Sequence, residues 1–390
     1  MAGVILLAFH FPPENTSGAA RPHRFFKYLP KFGLEAEVIC GLPELASEAR
    51  GVHRVPEAGA APGTRMRAGV ARLIQRFGLP YNEQLPWIPH AVSKGVDLIK
   101  RGSIAAIVST SPPICTHLAA LWIKRKTGVR WIADFRDPFD GNPFRTRKWL
   151  FHYDAAIERR VLEEADAVIL NTSGVDAWWR TKYPQFAHKF RIIWNGFDPE
   201  RRVEPLPPTK RQTPLLAHLG TIYGGRHPGL LLESLERLKA DVFVQLTGPY
   251  EAKLDRMEQF VREGRASYNN RMVPGEEADQ LMASADYLLL LDLHDREESV
   301  QVPGKLFDYM RVERPILAFT SKGSPTESIL SRSGVDHATI YRTDEAGQID
   351  AKVREFLKAG PRVTRPNQWF WEQFDGVSQT GQLAEVITGA

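Results

Sequence analysis

The chain has 390 residues, 43% hydrophobic and 25% charged, with 30 Gly, 28 Pro and only 2 Cys. That length exceeds what one ordinary core supports and predicts two domains, and the composition excludes a collagen-like, coiled-coil or disordered chain. No apolar run approaches the roughly 18 residues of a membrane-spanning helix, and Cys40 and Cys115 cannot build a disulfide framework, which points to a reducing cytosol.

The net charge of +5 hides an asymmetry: residues 1–198 balance at +9 and residues 199–390 at −4. A basic half predicts an anionic partner, whether a phosphate-bearing substrate, a membrane or nucleic acid. The opening MAGVILLAFHFPPEN lacks a basic leader and a small-residue cleavage site, so it reads as a buried first strand instead of a signal peptide.

Short apolar runs then alternate with helical patterns. Strands are expected at Val4–Phe9, Glu37–Cys40, Ile104–Ser109, Trp131–Asp134, Ala167–Asn171 and Arg191–Trp194. Helices are expected around Pro22–Lys31, Pro113–Lys126, Phe151–Glu164 and Val175–Lys182. The runs are apolar throughout, as parallel strands buried on both faces require, and the alternation predicts a doubly wound α/β sheet.

Residues 64–101 are less regular. Met66, Val70, Leu73, Ile74 and Phe77 share a helical face, with Arg65, Arg72 and Arg76 outside it. This is either a surface helix packed on the sheet or a basic helix lying on an anionic bilayer. Phe144, Arg145, Arg147, Lys148, Trp149 and Phe151 form a second basic-aromatic cluster.

Residues 196–213, GFDPERRVEPLPPTKRQT, have the proline and charge content of a linker. Alternation restarts with strands at Leu215–Leu219, Val242–Thr247, Tyr287–Asp292 and Ile316–Phe319. Helices are expected near Gly229–Lys239, Ala252–Glu263, Ala278–Ser284 and Leu306–Val312. The reading is two Rossmann-like domains.

In such sheets ligands bind beyond the carboxyl ends of the strands. After the first strand, Ser17-Gly18-Ala19-Ala20 is a small-residue loop opening a helix, suited to close backbone approach to an anion. Neither a Gly-x-Gly-x-x-Gly nor a Walker signature is present, which argues against a nicotinamide dehydrogenase and a P-loop NTPase. Asp134-Phe135-Arg136-Asp137-Pro138 places two carboxylates around an arginine at a strand end, either an acid-base group or a structural ion pair. His117, one turn into a helix, is either a cleft residue or a packing residue.

In the second half, Tyr223-Gly224-Gly225-Arg226 is a glycine turn ending in a cation. The Pro-Gly-Lys turn at Gly304 and Lys305 opens a helix, with Asp308 one turn along it. His294, Asp292 and Asp295 read as a solvated acidic turn, not a metal site.

Taken together, these segments resemble a known family. FPPENTSGAARPHRFF, STSPPICTHLAALWIKRK, ADFRDPF, ADAVILNTSG and above all RIIWNGFDPE are similar to the first domain of retaining glycosyltransferases of the GT-B fold, family 4-like, in the bacterial polysaccharide and lipid-linked glycan branch. HLGTIYGGRHPGLLLESL, QLTGPYE and VPGKLFDYMRVERPILAF carry the resemblance through the second half, and FWEQF resembles the helix that crosses back onto the first domain.

The resemblance implies two Rossmann-like domains facing each other across a cleft. Residues 1–198 would bind the acceptor, 199–366 the nucleotide sugar, and 367–390 would cross back. It implies donor contacts from Gly18, Gly225, Arg226, Gly304, Lys305 and Asp308, with Glu298 near the sugar. The first acid of the family's Glu-x7-Glu pair is Val300 here, and Glu297 and Glu298 are out of register. Asp137 is the first candidate beside the reacting sugar and Asp134 the second, with Ser17, His117 and Arg136 on the acceptor side.

The implied reaction moves a sugar from a UDP- or GDP-linked donor to a glycan or lipid-linked acceptor, with retention and with no metal or other cofactor. A peripheral cytoplasmic enzyme on an anionic membrane, with no nucleic-acid partner, is the expected setting. A GT-B sugar-nucleotide epimerase and a non-catalytic nucleotide-sugar-binding protein are the rival readings.

Overall fold

The computed structural model describes residues 2–14, 16–41, 49–57, 84–142, 151–201, 203–204, 206–207, 211–222, 226–250, 255–292 and 299–389. The basic helix expected at 66–77, the cluster 144–149, the turn Tyr223–Gly225 and the stretch from Leu293 to Glu298 lie outside them, as do the side chains of Ser17 and Phe151. The chain forms two units, one of 1–198 with 376–390 and one of 199–375.

Unit 1 holds a seven-stranded parallel sheet. Its strands are β1 (Ala2–Leu7), β2 (Leu34–Cys40), β3 (Val52–Arg54), β4 (Ile104–Ser111), β5 (Arg130–Phe135), β6 (Ala167–Leu170) and β7 (Phe190–Ile192). Their order is β3-β2-β1-β4-β5-β6-β7. The chain winds outward from β1 to β3, then restarts at β4 on the other side. The switch point therefore lies between β1 and β4, where Leu6 pairs with Val38 on one side and Val108 on the other.

Every residue of β6 is buried, as is all of β5 after Arg130. One face of the sheet presents Val4, Leu6, Val38, Val108, Ile132 and Ile169. Phe25 and Leu29 from the region of the helix Ser17–Tyr28 cover it, with Leu383 and Ile387 from the helix Gly376–Thr388. At about 25 cal/mol per Å² of apolar area, this two-sided burial is the main force holding the sheet.

Unit 2 repeats the arrangement with six parallel strands in the order β10-β9-β8-β11-β12-β13. These are β8 (Leu215–Leu219), β9 (Phe243–Thr247), β10 (Ala266–Asn269), β11 (Tyr287–Leu291), β12 (Ile316–Phe319) and β13 (His337–Ile340). The switch point falls between β8 and β11. Leu216, Val244, Leu246, Leu289, Leu317 and Phe319 form the sheet part of its core.

The C-terminal residues divide differently from the expected boundary at 367. The helix Gln368–Phe374, which holds FWEQF, belongs to unit 2, where Phe374 lies 4.8 Å from Phe307 between ring centroids. The next helix, Gly376–Thr388, is the part that belongs to unit 1, packed on Ser17–Tyr28. No described helix is long and apolar enough to cross a membrane.

Candidate functional site

In each unit several of the described candidate residues lie near the carboxyl ends of central strands. In unit 1, Asp134 near the end of β5 is fully buried and receives three hydrogen bonds from Arg21. Arg21 Nε lies 3.0 and 3.2 Å from the two carboxylate oxygens, and Nη2 lies 2.8 Å from Oδ1. Arg21 is itself 2% exposed and also donates to the carbonyls of Ile193 at 2.8 Å and Trp194 at 2.7 Å. The structure thus ties the sheet end to the first helix through Asp134, which sits in a buried ion pair instead of facing a substrate.

Arg136, read together with the two aspartates, sends its guanidinium to the carbonyls of Ser111 at the end of β4 and Pro112 just after it. Burial lowers its pKa, and the neighbouring Asp137 and Asp134 charges oppose that change. A Cβ on Gly18 would lie 3.1 Å from Arg136 Nη1 and 3.3 Å from His10 Cδ2. Residue 18 therefore abuts both side chains at the start of its helix. His10 in turn meets Glu14 Oε2 at 2.7 Å through Nδ1. Gly18 is thus brought against Arg136, and the charge of the half-buried Asp137 acts on that guanidinium.

His117 is not part of that group. Trp131 Nε1–H donates to Ser109 Oγ at 2.7 Å, and Ser109 Oγ meets His117 Nδ1 at 2.7 Å. The His117 ring is fully buried, 4.4 Å from the Phe135 ring centroid. Burial pushes its pKa down to about 3, so it is a neutral core residue and not a cleft residue. Its place one turn into a helix gave no indication of which way the ring turned.

One residue that the sequence reading passed over organises the loop holding Asp137. Glu158, on the helix Phe151–Glu164, accepts backbone N–H bonds from Phe139 at 2.8 Å and Asp140 at 2.9 Å with Oε2. Its Oε1 accepts from Lys182 at 2.9 Å and Tyr183 at 2.8 Å. An acid on the buried face of a helix was the available signal.

In unit 2, β8 and β9 end in glycines that pack on each other. A Cβ on Gly248, whose φ is +141°, would lie 2.4 Å from the carbonyl oxygen of Gly220. A Cβ on Gly220, with φ +119°, would lie 2.7 Å from Lys305 Nζ. Lys305 opens the seven-residue helix Lys305–Arg311, with Gly304 in the N-cap position. Its ammonium does not point along that helix start into water. It turns to β8, where Nζ is 3.1 Å from His218 Nε2.

His218 Nδ1 is 2.8 Å from the carbonyl oxygen of Leu289 on β11, so Nδ1 carries the proton and Nε2 accepts from Lys305. Burial holds His218 well below the usual imidazole pKa, with the Lys305 charge adding to the effect. Burial likewise pushes Lys305 down to about 7, with Arg226 lowering it further and Asp292 opposing. Asp292 is buried beyond β11, and its Oδ2 accepts from Thr320 and Thr326 at 2.8 Å each.

Arg226 is 8% exposed, close enough for its charge to act on both Lys305 and His218. Asp308, one turn into the helix, is half-buried with a 3.8 Å contact to Arg311. Tyr309, behind it, accepts the Leu219 N–H at 2.8 Å and fixes the helix against the end of β8. The result is a strand end with two cations whose charges act on one another, Lys305 being bonded to a neutral partner. Such a strand end attracts an anion. Gly225 and Glu298 fall outside the described residues, and among the described residues no cluster of three metal-ligating side chains occurs.

Comparison with known proteins agrees with this architecture. Residues 18–196 match the family model of the glycosyl transferase 4-like domain. No curated protein sequence matches the chain. A sucrose-phosphate synthase from Thermosynechococcus elongatus is similar in structure at TM-score 0.70 and 12% identity, over 100% of this chain and 99% of that one. HepE from Anabaena, in its complex with UDP and glucose, is similar at TM-score 0.64 and 13% identity over 100% of both chains. The UDP-GlcNAc 2-epimerase from Methanocaldococcus jannaschii is similar at TM-score 0.55 and 9% identity, again over 100% of both. The fold is therefore GT-B, the α/β architecture of nucleotide-sugar glycosyltransferases, which an epimerase also uses.

Proposed function

We propose that the chain is a glycosyltransferase that moves a sugar from a nucleoside diphosphate sugar onto a glycan or lipid-linked acceptor, with retention at the anomeric carbon. The observation that carries this reading is the cation pair of half-buried Lys305 and buried Arg226 at the β8/β11 switch point. There a diphosphate would find two positive charges and no ion-pair carboxylate on Lys305 among the described residues. Support comes from the glycosyl transferase 4-like match in unit 1 and from the similarity to HepE in its complex with UDP and glucose.

Breaking the anomeric bond leaves negative charge on the diphosphate and positive charge on the sugar ring. Lys305 and Arg226 stabilise the leaving diphosphate, in a setting where burial has already stripped the lysine of water. In unit 1, Asp137 is the acid assigned to the reacting sugar, where it stabilises the ring charge, with Gly18 on the donor side and Arg136 on the acceptor side. Asp308 bonds the ribose hydroxyls. The donor nucleotide is UDP or GDP.

The direct test is calorimetric titration with UDP and GDP. Lys305→Ala and Arg226→Ala should each weaken binding by about 1–3 kcal/mol, the range of a charged hydrogen bond. Unchanged affinity in both variants would remove the site. Asp137→Asn should keep nucleotide binding and lose transfer; full turnover would exclude it from the chemistry.

The anionic acceptor is proposed to reside on a membrane. Between the helices Ile88–Arg101 and Cys115–Thr127 a groove of about 650 Å³ is lined by Val92, Val96 and Trp122 together with Asp97, Lys100 and Lys126. Trp122 is 49% exposed there. An exposed tryptophan among lysines suits the headgroup region of an anionic bilayer. Vesicles rich in phosphatidylglycerol should sediment the protein at low salt and release it at high salt; no sedimentation at low salt would refute the membrane part.

A further inference from the structure

We infer that His218 is a positioning residue for the donor site, a neutral acceptor that holds the Lys305 ammonium against the end of β8 while leaving its charge to the ligand. This rests on the reading of Lys305 as a diphosphate contact and deepens it. A lysine carries a compact charge on a flexible four-carbon stem, so its value at a phosphate depends on how that stem is restrained. The usual restraint is a carboxylate, and a carboxylate would cancel the charge that the phosphate needs.

Here the restraint is an imidazole. Three observations fix its state. Nδ1 is committed to the Leu289 carbonyl at 2.8 Å, which makes Nε2 the acceptor 3.1 Å from Nζ. The ring is completely buried in β8, between strands that meet at the switch point. Burial first, then the charges of Lys305 and Arg226, hold its pKa well below its ordinary value against the opposing backbone contacts of Leu289 and Gly220, so it stays neutral where the lysine is charged.

The space for Nζ is reserved by glycine. Any side chain at residue 220 would place a carbon 2.7 Å from Nζ, and Gly220 is in turn pressed by Gly248. Tyr309 bonds both the N–H of Leu219 at 2.8 Å and its carbonyl at 3.3 Å, locking the helix that carries Lys305 to the strand that carries His218. Lysine stem, imidazole and strand end therefore form one rigid unit before any ligand arrives. Pre-ordering of this kind removes part of the entropy cost of binding.

The test is a cycle of UDP titrations on the full chain with His218→Leu, His218→Gln, Lys305→Ala and the double variant His218→Leu/Lys305→Ala. His218→Leu should weaken UDP roughly tenfold. His218→Gln, which offers an amide oxygen to Nζ, should stay within about threefold of the parent. In the Lys305→Ala background, His218→Leu should change UDP affinity less than about twofold. Wild-type affinity in His218→Leu, or an equal loss in both backgrounds, overturns the inference.

Should the Leu variant not fold, a tenfold loss in a folded His218→Gln variant overturns it equally. If Lys305→Ala binds UDP as the parent does, the donor reading itself has failed. The pairing is then judged by pH-dependent acetic anhydride labelling of Lys305 without ligand. A changed labelling profile in His218→Gln supports the positioning role, and an unchanged profile refutes it.

Discussion

Unit 1 and unit 2 share a strand order around their switch points yet treat buried charge there in opposite ways. In unit 1 the carboxylate of Asp134 meets the guanidinium of Arg21, which also donates to the backbone carbonyls of Ile193 and Trp194 and to Asn195 Oδ1. In unit 2 the ammonium of Lys305 meets the imidazole of His218. The first arrangement neutralises itself and has little to offer a ligand. The second leaves a desolvated positive charge, which is costly to the fold and useful to an anion. The comparison separates a charge used for architecture from one held ready for chemistry.

The largest effect that would break this contrast concerns the unit 1 pair. Arg21→Ala leaves the Asp134 carboxylate buried without its counter-ion and should cost about 3–5 kcal/mol in urea unfolding. Replacing both partners by apolar residues, Arg21→Met with Asp134→Leu, should recover much of that loss. A small loss in the single variant would mean the pair is not structural.

Next comes the glycine contact at the end of β8. Gly248→Ala drives a methyl group into the Gly220 carbonyl, at a φ that L residues rarely adopt. It should destabilise unit 2 by about 1–3 kcal/mol or more and weaken UDP binding with it.

Lys305→Met sharpens the contrast through pH. The folded-state pKa of Lys305 is pushed down to about 7, below its ordinary 10.5. Between those values the unfolded chain binds more protons, so wild-type stability rises with pH across that window. The penalty for the buried ammonium is therefore complete below pH 7 and gone above about 10.5. A displacement of one pH unit is worth about 1.4 kcal/mol, so Lys305→Met should gain at least that at pH 6.5 and nothing at pH 10.5. Urea midpoints at the two values check it; a gain independent of pH would assign the effect to packing.

The smallest effect is a control on a solvent-facing charge. Arg237, 41% exposed, pairs with Asp350 at 2.8 Å across two helices of unit 2. Arg237→Ala should change stability by less than about 1 kcal/mol, because solvent and salt screen such pairs. A larger loss would mean that surface pairs contribute as much as the buried one.

The central strands could be read before folding because they are buried on both faces. Ile316–Phe319 appears as an uninterrupted apolar run and Leu215–Leu219 as a run broken only by His218, and both fold over those same residues. The edge strands β3, β10 and β13 were missed for the converse reason. Val52–Arg54 is half-buried throughout and Ala266–Asn269 ends in two exposed residues, so neither shows a continuous apolar signal. The helix Ile88–Arg101 was hidden in a stretch that reads as irregular.

The site was legible only as local punctuation. Glycine after a buried strand and Pro-Gly-Lys before a helix mark where a ligand could bind, because backbone geometry and helix starts are local matters. Which charge meets which partner is not local. Arg21 and Asp134 are 113 residues apart, and Lys305 and His218 are 87 apart. The sole trace of His218 was a polar residue inside the apolar run LLAHL.

Length, charge asymmetry and apolar periodicity thus sufficed for two α/β units, because burial on both faces leaves its mark in every strand. Only the tertiary structure decided that Asp134 is neutralised, His117 buried and Lys305 held by an imidazole. Those outcomes depend on which distant side chain fills the space at a strand end, and packing settles that only once the sheet has closed around it.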